Sequence, residues 1–162
     1  MNEKKLSQGF MFDTNIFNSI LDGEIEIELF NRFKLYVTHI QSDELTNTRN
    51  IQRREKLTEI FQKIPQEKMP TESGAWNISS WDDFKWSDPN DHLREEILAE
   101  MDSRKKKQNN QQDSLIAETA LKNNLILVTN DGILMDTMKR FNGKSIGLQE
   151  FLDSTKEMTV HE

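Results

Sequence analysis

Residues 113–131 read DSLIAETALKNNLILVTND, and this stretch decides the fold. Ile116, Ala117, Ala120 and Leu121 recur at helical spacing, so a helix starts near Asp113 with those residues on its inner side. Leu125-Ile126-Leu127-Val128 then forms the clearest strand in the chain. A helix that feeds a strand of a parallel sheet runs antiparallel to it. Its N-terminus therefore lies at the carboxyl rim of the sheet, where ligands of open α/β folds bind. Asp113 at the start of the helix and Asp131 after the strand are both expected on that rim.

Working outward, the same alternation recurs. Phe10–Phe12 reads as a short buried strand, followed by Ile16, Phe17, Ile20 and Leu21 at helical spacing up to Gly23. A short helix is expected over Glu24–Phe33, with Leu29, Phe30 and Phe33 on its apolar side, and then a strand at Leu35–Val37. Thr38-His39-Ile40-Gln41 spells a capping box. One long helix is expected after it, carrying Ile40, Glu44, Thr48 and Ile51 and continuing through Leu57, Ile60, Phe61 and Ile64 to Pro65. Residues 65–91 break the rhythm: they hold all three prolines and the three tryptophans Trp76, Trp81 and Trp86, and read as an insertion within one domain spanning 1–162. Pro89 suits the first turn of the next helix, which Leu93, Ile97 and Met101 line and Arg104–Lys107 end. Ile133, Leu134 and Met138 predict a further helix, and Lys144–Leu148 a last edge strand. The fold class is a three-layer α/β/α domain with a central, mostly parallel sheet.

Composition excludes several chemistries. Without cysteine there is no disulfide, thiolate metal site or cysteine nucleophile. No aliphatic run is long enough to span a bilayer, and the N-terminus lacks the apolar core of a secretory signal, so a soluble, cytoplasmic protein without membrane association is expected. The net charge of −7 is uneven: residues 71–100 hold eight acids against Lys85 and Arg94, and the remainder is nearly balanced, with 20 acids and 19 bases. An overall negative charge therefore does not exclude a nucleic-acid partner.

Four acids remain to be explained. Asp13 follows the strand Phe10–Phe12, and Glu44 lies on the core-facing stripe early in the helix after the second strand. With Asp113 and Asp131 they come from four distant points to one rim, with no base paired to any of them. Like charges so placed raise one another's pKa unless a cation lies between them. Magnesium or manganese suits carboxylate oxygens and water, and one or two such ions are the apparatus of phosphodiester hydrolysis. Each acid alone also has an ordinary reading. Asp13 could cap its helix through the Asn15 or Ile16 amide, Asp113 could be an N-cap, and Val128–Asp131 could be a simple turn.

Taken together, FDTNIF (12–17), THIQSDEL (38–45) and QDSLIAETALKNNLILVTNDGIL (112–134) resemble the successive signatures of PIN domains, the ribonuclease fold of VapC-type toxins and related RNA-processing enzymes. The resemblance covers the ordered parts of roughly residues 8–152. It implies that Asp13, Glu44, Asp113 and Asp131 form an acidic quartet, both catalytic and metal-binding, with Thr129 and Asn15 in support. It further implies an Mg²⁺- or Mn²⁺-dependent endoribonuclease, a hydrolase leaving 3′-hydroxyl and 5′-phosphate ends. The toxin of a toxin–antitoxin pair is the first expectation, with RNA, an antitoxin protein and a second copy of the chain as partners. Two features depart from the pattern: Gly132 and Ile133 stand where the family often has a second acid and an aromatic, and the tryptophan-containing stretch is not part of the common core. The rival is a non-catalytic PIN-like module that binds RNA or a protein. Phosphatase and receiver folds fit less well, since DTN lacks a second aspartate and no lysine follows the VTND strand.

Arg104, Lys105, Lys106 and Lys107, with Arg49, Arg53 and Lys56, read either as an RNA track or as solvated faces. The tryptophans read as a satellite core, a protein-binding surface or a stacking platform for bases. His39, His92 and His161 show no ligand spacing and are read as incidental.

Overall fold

The computed structural model describes residues 8–72 and 91–160, with side chains through Lys156. The tryptophans, Pro89 and His161 lie outside the described residues. Five strands form one sheet: β1 (Gly9–Phe12), β2 (Lys34–Val37), β3 (Glu67–Lys68), β4 (Ile126–Val128) and β5 (Lys144–Ile146). Their order is β3-β2-β1-β4-β5, and every pairing is parallel. The order reverses at β1, which pairs with β2 on one side and β4 on the other. A ligand cleft forms at such a switch point, beyond the carboxyl ends of the strands.

The helices are α1 (Thr14–Asp22), α2 (His39–Thr46), α3 (Ile51–Lys63), α4 (Leu93–Arg104), α5 (Asn110–Lys122), α6 (Gly132–Arg140) and α7 (Leu148–Val160). Strand side chains alternate between faces, and β1 divides the core accordingly. Phe10 and Phe12 point into one cluster with Ile16, Phe17, Leu57, Val128 and Phe151. Met11 points into the other with Ile97, Met101, Leu115, Ile116, Leu127 and Met138. Thus α1, α3 and α7 cover one face, and α4, α5 and α6 the other. The first layer is aromatic: Phe151 lies 4.7–6.0 Å, centroid to centroid, from Phe10, Phe12, Phe30 and Phe33. Each such pair contributes about 0.5–1.5 kcal/mol beyond area burial. No helix among the described residues is long and apolar enough to cross a membrane.

Several local expectations are corrected. The long helix after β2 is two helices, separated at 47–50. The Asn50 side chain accepts from the Arg53 amide at 2.9 Å and starts α3 afresh, as asparagine does when it competes with the helix for backbone donors. Ile51 consequently stands 61 % exposed instead of on the inner stripe. The segment expected as a helix over Glu24–Phe33 is a 3₁₀ turn, Ile27–Arg32, which buries Phe30 and leaves Leu29 exposed. Part of the presumed insertion belongs to the sheet, because Glu67 and Lys68 pair in parallel with Tyr36 and Val37. The last strand ends at Ile146. Leu148 opens α7, whose Leu148, Phe151, Leu152 and Thr155 follow helical spacing. Finally, Asp113 is not an N-cap: α5 begins at Asn110, so Asp113 lies one turn inside it.

Candidate active site

Asp13 ends β1, and its amide continues the ladder by donating to the Val128 carbonyl at 3.0 Å. That bond holds the residue at the junction of β1, β4 and α1. Its side chain is 5 % exposed, and each oxygen has a donor: Oδ1 accepts from the Thr14 amide at 2.8 Å, and Oδ2 from the Thr129 hydroxyl at 2.9 Å. The capping bonds expected to the Asn15 or Ile16 amides are not the ones made. Ile16 donates to the Asp13 backbone carbonyl instead. Thr129, fully buried, is a hub: its Oγ1 also accepts from the Asp131 amide at 3.1 Å, tying the first and last acids together.

Asp131 caps α6 by accepting from the Ile133 and Leu134 amides at 2.9 and 3.2 Å through Oδ1. The turn reading of VTND is thus part of the answer, and Oδ2 faces Lys107 Nζ at 3.6 Å. Glu44 projects from the last turn of α2 and accepts from the Thr14 hydroxyl at 3.2 Å. Thr14 therefore touches both Asp13 and Glu44. It went unnoticed in the sequence, where only its place beside Asp13 could have pointed to it. Behind α2, Gln41 closes the capping box on Thr38 and donates to the Phe12 carbonyl at 3.1 Å, locking the helix against β1. Asn15 is exposed, and its side chain makes no hydrogen bond among the described residues.

Asp113 is 7 % exposed, and among the described residues no hydrogen-bond donor meets its carboxylate. Burial pushes it up to about 8, and the charges of Asp13, Glu44 and Asp131 add to that. Burial and then the Asp13 charge push Glu44 up to about 7, against the Thr14 bond that lowers it. Asp13 is raised too, chiefly by burial and further by Asp131, while Thr129, Thr14 and Lys107 act to lower it. Asp113 thus feels the charge of the other three acids, Glu44 that of Asp13, and Asp13 that of Asp131. Their donor chemistry, hard oxygens carrying excess negative charge, suits Mg²⁺ or Mn²⁺. Among the described residues, no three carboxylates or histidines draw together closely enough to make a ready cage.

The cations divide. Arg53 is engaged by Asp22 and Asn18, at 2.8 Å for the closest contact, and Arg104 by Glu100 and Asp136. Arg49, Lys56, Lys105 and Lys106 are exposed, and Lys107 reaches into the acidic pocket.

No family sequence model and no curated relative matches the chain. Solved structures do. PAE2754 from Pyrobaculum aerophilum superposes with a TM-score of 0.53 at 12 % identity, over 93 % of this chain and 98 % of that one. The fold is PIN-like. VapBC2 from Rickettsia felis, bound to a DNA fragment from its promoter, gives 0.48 at 18 % identity over 86 % and 98 % of the two chains. FitAcB from Neisseria gonorrhoeae gives 0.43 at 13 % over 85 % and 96 %. In this PIN-like chain the acids lie at the β1/β4 switch point, as the rule for open sheets requires. Fold alone does not fix the reaction; the side chains gathered at the rim do.

Proposed function

We propose that the protein is a metal-dependent endoribonuclease. The observation that carries this reading is the gathering of buried acids at one rim, where burial first and neighbouring carboxylates second push Asp113 up to about 8 and Glu44 up to about 7. Such a cluster calls for a divalent cation, and Asp13, Glu44, Asp113 and Asp131 would hold one or two Mg²⁺ or Mn²⁺ ions, directly or through water. Bound there, the metal supplies a water acidic enough to attack at neutral pH and charge to balance the phosphoryl oxygens. Thr129 and Thr14 orient the Asp13 carboxylate, and Thr14 also positions Glu44. Lys107 is the cation at the pocket mouth, within reach of a phosphate. The products are a 3′-hydroxyl and a 5′-phosphate. Resemblance to VapC-type toxins over 12–17, 38–45 and 112–134 supports a physiological role as a toxin, with an antitoxin protein and a second copy of the chain as partners.

The second reading is a non-catalytic module that binds RNA or a protein. Single-stranded RNA incubated with the purified protein separates the two. The nuclease reading expects cleavage in Mn²⁺ that chelator stops and that Asp13→Asn lowers by at least about a hundredfold, with the fold retained by circular dichroism. Cleavage indifferent to chelator, or equal in Asp13→Asn, rejects it.

A further inference from the structure

We propose that Lys107 stands in for a second metal ion. It holds the Asp131 side of the pocket, so that a single divalent cation is taken through Asp13, Glu44 and Asp113, directly or through water. The Lys107 ammonium then supplies the other positive charge to the RNA phosphate. This deepens the metal-dependent reading above, and only the charge offered to RNA needs the nuclease part of it.

The basic run Arg104–Lys107 leads from α4 toward α5, and its members go different ways. Arg104 is engaged by Glu100 and Asp136, and Lys105 and Lys106 are exposed. Lys107 is half-buried, with Nζ 3.6 Å from Asp131 Oδ2. A buried asparagine fixes the backbone that carries it. Asn110, 3 % exposed, donates from Nδ2 to the Lys105 carbonyl at 2.8 Å and to Asp102 Oδ1 at 2.9 Å. Its amide donates to the Lys107 carbonyl at 3.3 Å. The loop is thus pinned on both sides of Lys106, three residues before Asp113. A charge presented from a fixed backbone is held more precisely than one on a free loop.

The acids use their acceptor capacity unequally. A carboxylate offers about four lone-pair sites, two on each oxygen. Asp131 Oδ1 accepts from two amides, those of Ile133 and Leu134, and Oδ2 faces Lys107. A divalent ion on Asp131 would have to take Oδ2 from Lys107 and lie against its ammonium. Asp13 meets one donor at each oxygen, Glu44 meets Thr14 at Oε1, and no donor among the described residues meets Asp113. Spare capacity therefore lies on Asp13, Glu44 and Asp113. The charges divide in the same sense. Burial raises Asp13 and Asp113, and Lys107 acts against it in both. Glu44 is raised by burial and then by Asp13, and what opposes this is the Thr14 hydroxyl, not a cation. The unmet need for positive charge is at Glu44.

Where two ions serve phosphodiester hydrolysis, they activate water and balance charge on the attacking and leaving oxygens. A lysine does not make water acidic as an ion does. Its ammonium does donate three N–H and a full positive charge to phosphoryl oxygens. Lys107 can thus fill the charge-balancing half of that work and leave one position for an ion.

Calorimetric titration with Mn²⁺ at pH 8.5 and low-temperature spin resonance of the bound ion test this without RNA. The wild type is expected to bind one Mn²⁺ per chain, with the spectrum of an isolated ion. Lys107→Met should bind it at least about tenfold tighter, since the ammonium that shares the acids is gone, and Lys107→Arg should stay within about threefold of wild type. Asp131→Asn keeps a capping side chain on α6 and should also stay within about threefold, whereas Asp113→Asn should weaken Mn²⁺ at least about thirtyfold. Two ions per wild-type chain, a spin-coupled pair, unchanged affinity in Lys107→Met, or a loss in Asp131→Asn equal to that in Asp113→Asn overturns the proposal. With RNA in saturating Mn²⁺, Lys107→Met should lower kcat at least about a hundredfold and move KM less than about threefold, and Lys107→Arg should recover most of the loss. A change in KM with kcat kept makes Lys107 a docking charge and overturns its role as the second cation. One Mn²⁺ per chain with Asp131 dispensable for binding it, but no RNA cut, upholds the arrangement of charge and rejects the nuclease reading instead.

Discussion

Asp113→Asn is the perturbation that tests the electrostatic reasoning most directly. The wild-type carboxyl moves from its ordinary 3.8 to about 8 on folding, mainly through burial and then through Asp13, Glu44 and Asp131. At about 1.4 kcal/mol per tenfold change in proton affinity, ionising it in the folded protein above pH 8 costs about 5–6 kcal/mol relative to the unfolded chain. The neighbouring acids share that penalty, so removing one charge recovers about 2–4 kcal/mol. The direction with pH follows from proton counting. Between 3.8 and about 8 the folded state holds a proton that the unfolded state has released, so wild-type stability falls as pH rises through that window. Asparagine does not titrate. In chelator, its advantage is expected to be near zero at pH 3.5, to grow with pH, and to level off above pH 8. Thermal unfolding should show a gain of about 8 °C at pH 8.5, at roughly 2–4 °C per kcal/mol for a chain of this size. Excess Mn²⁺ should raise the wild-type midpoint and leave the variant nearly unmoved. A variant less stable than wild type at pH 8.5, or a gain that does not change with pH, refutes the claim that Asp113 is held against repulsion.

Three further outcomes are expected. Thr129→Val removes the buried hydroxyl that serves Asp13 and the Asp131 amide. It should destabilise by about 1–3 kcal/mol in urea titration and move the acid limb of Mn²⁺-dependent cleavage to higher pH, since the bond that lowers Asp13 is gone. Phe151→Ala should cost about 3–5 kcal/mol by the same titration, because the ring is wholly buried against four other phenylalanines. A loss under 1 kcal/mol would show that α7 does not close the sheet. Replacing Lys105 and Lys106 together with alanine should lower the slope of log affinity for single-stranded RNA against log salt by about 1.4 if both contact phosphates. An unchanged slope removes them from the RNA track.

The layers and the carboxyl rim were legible because they rest on periodicity and chain direction. The fully apolar Leu125–Val128 run and the helical spacing of Ile116, Ala117 and Ala120 leave one architecture, and that architecture sends Asp113 and Asp131 to the rim wherever the rest of the chain goes. The same logic placed Asp13 and Glu44. Elements made by backbone or by side-chain competition were not legible. β3 is two charged residues whose pairing with β2 is carried by main-chain bonds, so no hydrophobic signal marks it. The break between α2 and α3 turns on one Asn50 side-chain bond, which is worth too little to read against a continuing apolar pattern. The spacing of α7 could have been read, and the strand assigned through Leu148 obscured it.

Amino-acid order alone determined which types of residue reach the rim, since chain direction and side-chain period are local properties. Tertiary structure alone decided how those residues are held: Thr14 bridging two acids, Thr129 joining two others, Lys107 entering the pocket, and His39 buried without a partner. The physical reason is range. Periodicity acts over a few residues, whereas a carboxylate's proton affinity depends on burial and on charges as far as 100 positions away, which become neighbours only when the chain folds.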